Sequence, residues 1–114
     1  MAWLNSVRAF RHLIAHEPAF RQEVAVLVPA LPVAWAITQS MVGFLLLIGA
    51  LLFLITVEAL NTSVEKACDA LTREFNPDIQ LAKDCGSLAV LVAMLIAGGG
   101  WIFAAFRFFQ GAPI

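Results

Sequence analysis

Long apolar runs and short polar breaks alternate along this chain. Val24–Thr38 (VAVLVPALPVAWAIT) and Met41–Val57 (MVGFLLLIGALLFLITV) carry no charge, and only Gln39 and Ser40 separate them. A third uncharged run, Cys85–Phe106 (CGSLAVLVAMLIAGGGWIFAAF), follows a polar stretch. Crossing a hydrocarbon core takes roughly 20 apolar residues in a helix. The third run reaches that length unaided. The first two fall slightly short, which snorkelling side chains and local bilayer thinning accommodate. Read as one run they are too long for a single span, so a tight helical hairpin is expected. The pattern predicts an all-α membrane protein with transmembrane helices at about 24–38, 41–57 and 85–106. Pro29 and Pro32 each remove a backbone donor and are expected to kink the first. Ahead of it, Trp3, Val7, Phe10 and Ile14 recur at i, i+4, i+7 and i+11, with Arg8 and His12 on other faces. This predicts an amphipathic surface helix over about 2–16, anchored in the interface by Trp3.

Composition agrees with lipid as the solvent. Of 114 residues, 61% are hydrophobic and only 13% charged, with a mean hydropathy of +0.88. A water-soluble domain carries about a quarter charged residues. The length allows one domain, 1–114. The net charge of −1 gives no basic excess for nucleic acid. Cys68 and Cys85 match no metal-ligand spacing and read as two small hydrophobes. The N-terminal stretch lacks the continuous apolar core of a cleavable signal and is expected to stay in the mature protein.

The bases set the orientation. Arg8, Arg11 and Arg21 precede the first span, Lys66, Arg73 and Lys83 lie between the second and third, and the hairpin has none. The N-terminus and the 58–84 region are therefore expected in the cytoplasm. A ridge of Ala89, Ala93, Ala97, Gly100 and Ala104 in the third span suits close helix packing in lipid. Three spans enclose little interior, so an oligomer is expected.

The acids carry the candidate chemistry. With the second helix continued to about Glu74, Glu58, Asn61, Glu65 and Asp69 fall within about 80° of one another. They form one polar stripe running toward the membrane. Glu58 follows seventeen uncharged residues. Such a carboxylate is partly desolvated and is the best general-base candidate in the chain. Glu65 is placed to stay ionised, and Glu17 precedes the first span by a similar margin, with Arg21 at i+4 as a potential partner. Glu17 and Glu65 would suit one magnesium ion, which takes one or two carboxylates and completes its shell with water and phosphate. The other reading of these acids is solvated helix ends and ion pairs. After the second span the helix is expected to break at Asn76-Pro77-Asp78. Lys83 suits phosphate as a point charge, or serves as a positive-inside anchor. No GxxxxGK[ST] or GxGxxG loop is present, so phosphate chemistry would rest on carboxylates and a cation. A channel or proton carrier is the alternative use of an intramembrane Glu.

Three stretches extend this reading: EPAFRQE (Glu17–Glu23), VEALNTSVEKACD (Val57–Asp69) and AKDCGSLAVL (Ala82–Leu91). They closely resemble the prokaryotic integral-membrane diacylglycerol kinase family in its Gram-negative form, whose pattern is E-x-L-N-[ST]-x-[IV]-E followed by A-K-D-x-[GA]-S. The resemblance covers about Asn5 to Phe106. It implies a homotrimer of three-span subunits in the inner membrane that phosphorylates diacylglycerol with MgATP to phosphatidic acid, for phospholipid recycling. It also implies Glu58 as base with Asn61 beside it, and Glu17 and Glu65 as metal carboxylates. Asn5, Asp69, Glu74, Phe75, Asn76, Lys83 and Asp84 fall where the family meets nucleotide. Arg11, Ala19, Phe20, Arg21, Gln22, Glu23, Ser87, Trp101 and Phe106 fall along its lipid-substrate surface. Departures from the pattern are Asn5 in place of an aromatic, His16 in place of asparagine, Gln80 and Leu81 before A-K-D, and the two prolines of the first span. The alternatives are undecaprenol kinase, which shares the carboxylate core, and a non-catalytic assembly factor or ion carrier.

Overall fold

A computed structural model describes all 114 residues as four helices: α1 (Ala2–His16), α2 (Pro18–Thr38), α3 (Met41–Leu71) and α4 (Pro77–Phe109). Local chemistry sets each junction. Pro18 holds the preceding residue in extended backbone, so α1 ends at Glu17 (φ −115°, ψ 101°) and α2 starts with proline in its first turn. At the hairpin, Gln39 adopts the left-handed conformation (φ 52°), and the Ser40 hydroxyl accepts from the Gly43 amide at 2.9 Å, capping α3. Gly43 is needed there, because a Cβ would lie 2.7 Å from Thr38 Cβ. α2 runs through Pro29 and Pro32 as one helix.

α3 ends at Leu71, three residues before the end expected from sequence, and the chain breaks at Thr72. Thr72 is extended, and its hydroxyl accepts from the Glu74 amide at 3.0 Å, a local bond that competes with another helical turn. Asn76 caps α4, its Oδ1 accepting from the amides of Asp78 (2.9 Å) and Ile79 (3.3 Å), with Pro77 in the first turn. α4 thus begins eight residues before the uncharged run, and Lys83 and Asp84 stand on a helix.

α3 is the central element, packed along both α2 and α4, while α2 meets α4 only sparsely. Ala30, Ala34, Leu47, Ile48 and Ala104 form the buried cluster, and the Trp101 indole donates to the Leu47 carbonyl at 3.2 Å. The small-residue ridge works inside the chain, where Ala93, Ala97 and Ala104 are buried. α2, α3 and α4 are each long and apolar enough to cross a membrane. Val28, Leu46 and Leu95 are all more than 60% exposed on their outer faces, as expected of residues in contact with lipid.

Candidate functional site

At the end of the bundle away from the hairpin, α3 carries its polar stripe past the apolar run. Asn61 and Glu65, one turn apart, are joined by a 3.2 Å bond from Asn61 Nδ2 to Glu65 Oε1. Gly86 of α4 faces this pair so closely that any Cβ at that position would overlap Asn61 Oδ1. The glycine of the AKDCGS stretch is therefore what lets α4 close over the stripe.

Around Glu58 the structure gathers other carboxylates. Glu65 and Glu17 act on it through space, and Glu58 in turn acts on Glu23 of α2. Glu58 Oε2, Glu23 Oε1 and Asn61 Oδ1 are buried without a hydrogen-bond partner. Unsatisfied buried acceptors cost stability unless a proton, a hydroxyl donor or a cation meets them. No group of three or more His, Cys, Asp or Glu side chains converges as a complete protein metal cage. Glu17 and Glu65, which both act electrostatically on Glu58, are carboxylates of the kind that could hold a hard cation whose shell is completed by water and phosphate.

Further out, Lys83 Nζ donates to Asp69 Oδ1 at 2.8 Å, the chain's one ion pair, and ties α4 to α3. This hydrogen bond holds the Asp69 carboxyl below its ordinary value and the Lys83 ammonium above its own. The pair borders a polar cavity of about 360 Å³ lined also by Arg73, Glu74, Phe75 and Asn76. Asp84 faces outward and accepts from Gln80 at 2.9 Å. A second polar cleft, about 380 Å³, separates α1 from α3 and is lined by Asn5, Arg8, His12, Thr62, Ser63 and Lys66. Asn5 Oδ1 accepts from Arg8 there at 2.7 Å.

Ala19, Gln22 and Glu23 line a mostly apolar groove of about 320 Å³ with Val26, Leu51, Leu54 and Met94. It shares Val26, Leu51, Leu54 and Met94 with a larger apolar groove, about 450 Å³, that runs on to Trp101. Phe20 is buried edge-on against Phe10, 5.8 Å between centroids, and fixes α1 on α2. Arg21 does not pair with Glu17; its guanidinium donates to the Ile14 carbonyl at 3.1 Å, which the bend at Glu17 brings within reach. Arg11, Ser87 and Phe106 are exposed and line none of these cavities. Spacing alone missed Gly86 and the approach of Glu23 to Glu58, both of which depend on how neighbouring helices are rotated.

Fold and site together define a small multi-span helical protein with a carboxylate and lysine site at one end of its spans. Residues 4–105 match the prokaryotic diacylglycerol kinase family. The chain is 36% identical over 101 residues to the diacylglycerol kinase of Escherichia coli K12, covering 88% of this chain and 73% of that one. It is 34% identical over 96 residues to the diacylglycerol kinase of Pseudomonas aeruginosa PAO1, covering 84% and 78%. With the diacylglycerol kinase of Haemophilus influenzae Rd it shares 28% over 96 residues, 84% and 81%. The chain belongs to the prokaryotic diacylglycerol kinase family and is an enzyme of that class.

Proposed function

We propose that this protein transfers the γ-phosphoryl group of MgATP to the primary hydroxyl of 1,2-diacylglycerol, giving phosphatidic acid and ADP. The observation that carries this reading is the unpartnered Glu58 Oε2 at the end of a seventeen-residue uncharged run, with Glu65 and Glu17 as its neighbours. A lipid hydroxyl at the membrane boundary is a donor in search of such an acceptor. Glu58 takes the hydroxyl proton as the oxygen attacks phosphorus. Asn61 steadies Glu65 through their hydrogen bond. Lys83, held beside the polar cavity by Asp69, gives its remaining ammonium hydrogens to phosphate oxygens. Glu17 and Glu65 would hold magnesium, which supplies neutralisation of the phosphate charge. The groove beside Glu23 suits acyl chains, and the polar cavities at Asp69 to Lys83 and at Asn5 suit the nucleotide.

The same reading places the N-terminus and residues 58–84 on the cytoplasmic side of the inner membrane, with α1 as an amphipathic surface helix. It makes the enzyme a homotrimer in phospholipid recycling. The exposed apolar faces of the long helices leave room for both lipid and neighbouring subunits. The test is MgATP-dependent transfer by purified protein in detergent, with radiolabelled ATP and a lipid extract. Label in phosphatidic acid is expected. Label only in an undecaprenyl product, or in no lipid, overturns the assignment.

A further inference from the structure

We propose that His12 and His16 form a two-imidazole site for one divalent transition-metal ion of the zinc class on α1, at the edge of the cleft that α1 makes with α3. The two residues stand four apart on one helix face, and both are exposed. Their rings are neighbours, 4.4 Å between centroids and 26° from parallel, so that side-chain rotation would turn one nitrogen of each onto a common ion. Two imidazoles one turn apart on a helix are a bidentate chelate in which each contributes one ring nitrogen.

The second observation concerns the tautomer. His16 Nδ1 lies 3.1 Å from the His12 carbonyl oxygen. A carbonyl only accepts, so in the neutral ring Nδ1 carries the hydrogen and Nε2 keeps its lone pair. Protein ligands to zinc are oriented in this way, the second ring nitrogen donating to a carbonyl. Two bases, Arg8 and Lys66, line the cleft with His12; Arg8 is drawn toward Asn5 by a 2.7 Å bond, and the Arg21 guanidinium is engaged with the Ile14 carbonyl. Glu17 follows His16 directly in sequence and carries a carboxylate. Water would complete the shell. The site differs from the carboxylate site in donor type, since imidazole selects zinc, copper and nickel, whereas carboxylate and water select magnesium.

The test uses untagged full-length protein in detergent, with excess Mg2+ to saturate hard carboxylate sites, titrated with Zn2+ by calorimetry and with Co2+ by absorbance. Saturable binding of one ion per chain is expected. It should weaken roughly tenfold or more in His12→Ala and in His16→Ala, and persist in Cys85→Ser, since each imidazole supplies half of the protein ligands. Both histidines are exposed, so these variants keep the fold. Absence of saturable binding, binding unchanged in the two histidine variants, or a cobalt–thiolate band lost in Cys85→Ser each overturns the proposal. The outcome is independent of kinase activity.

Discussion

Glu58 is the residue on which the proposed chemistry turns. Replacing it with glutamine keeps the shape and hydrogen-bonding capacity of the side chain and removes the base. General-base catalysis contributes about 10²–10⁴-fold, so Glu58→Gln is expected to lower kcat by that order, with the circular dichroism and elution volume of the wild type. Full activity in this variant would remove the residue from the mechanism. Glu65→Gln should act differently, because Glu65 is assigned to the cation and not to the proton. A higher magnesium requirement and a raised KM for MgATP are expected; a wild-type magnesium titration would exclude the metal role. The alignment of Glu58, Asn61, Glu65 and Asp69 was legible from helical spacing within one element. What spacing does not carry is the rotation of one helix against another. The approach of Glu23 to Glu58, the fit of Gly86 over Asn61 and the turning of Arg21 toward Ile14 all depend on it.

At the scale of elements, two junctions hold the site end and the hairpin end together. The hairpin depends on Gly43, whose absent side chain admits Thr38, with the Ile114 carbonyl oxygen also 3.0 Å from where a Cβ would stand. Gly43→Val forces atoms into that contact from both sides, and overpacking of this kind costs about 1–3 kcal/mol. A lowered midpoint in a detergent-denaturation series is expected, whereas an unchanged midpoint would mean that the hairpin yields freely. At the other end, Lys83 and Asp69 join α4 to α3. Asp69 is depressed, so its contribution is present above its unfolded value and fades only as pH falls through the lower folded one. Lys83 is raised, so its contribution is present below its unfolded value and fades only as pH rises through the higher folded one. The pair therefore persists throughout the neutral range. Both groups are well solvated, and solvent-exposed pairs contribute little to stability. Asp69→Asn is accordingly expected to leave the thermal midpoint unchanged and to raise KM for MgATP, since the lysine loses its tether beside the cavity. A drop in midpoint with KM unaltered would make the pair structural. Hairpin and spans were legible in the charge-free runs, because a buried backbone in lipid leaves few alternatives to helix. The stop at Thr72 was not, because a single side-chain hydroxyl competes there with one more helical turn.

For the whole molecule, helix length and charge position are in tension. α3 and α4, with 31 and 33 residues, span about 47 and 50 Å at 1.5 Å per residue, well beyond a hydrocarbon core of about 30 Å. The uncharged segments are shorter. Residues 24–38 cover only about 22 Å and residues 41–57 about 25 Å before Glu23 and Glu58 are reached, at the same rise per residue. A bilayer of ordinary thickness would draw those carboxylates into hydrocarbon unless it thins around α2 and α3, at a cost of fractions of a kcal/mol per Å of mismatch. Such thinning lowers the headgroup level toward Glu58, where a diacylglycerol hydroxyl would meet it. Thin bilayers should therefore favour turnover. Reconstituted into phosphatidylcholine vesicles of graded acyl length, with one diacylglycerol as substrate throughout, the enzyme is expected to be most active in the shorter-chain members and to lose kcat as chains lengthen. KM for MgATP should stay level, because the polar cavities proposed for the nucleotide lie beyond the uncharged runs. A rate that rises steadily with bilayer thickness would show that the two short spans set no such constraint, and that Glu58 reaches its substrate from deeper in the membrane.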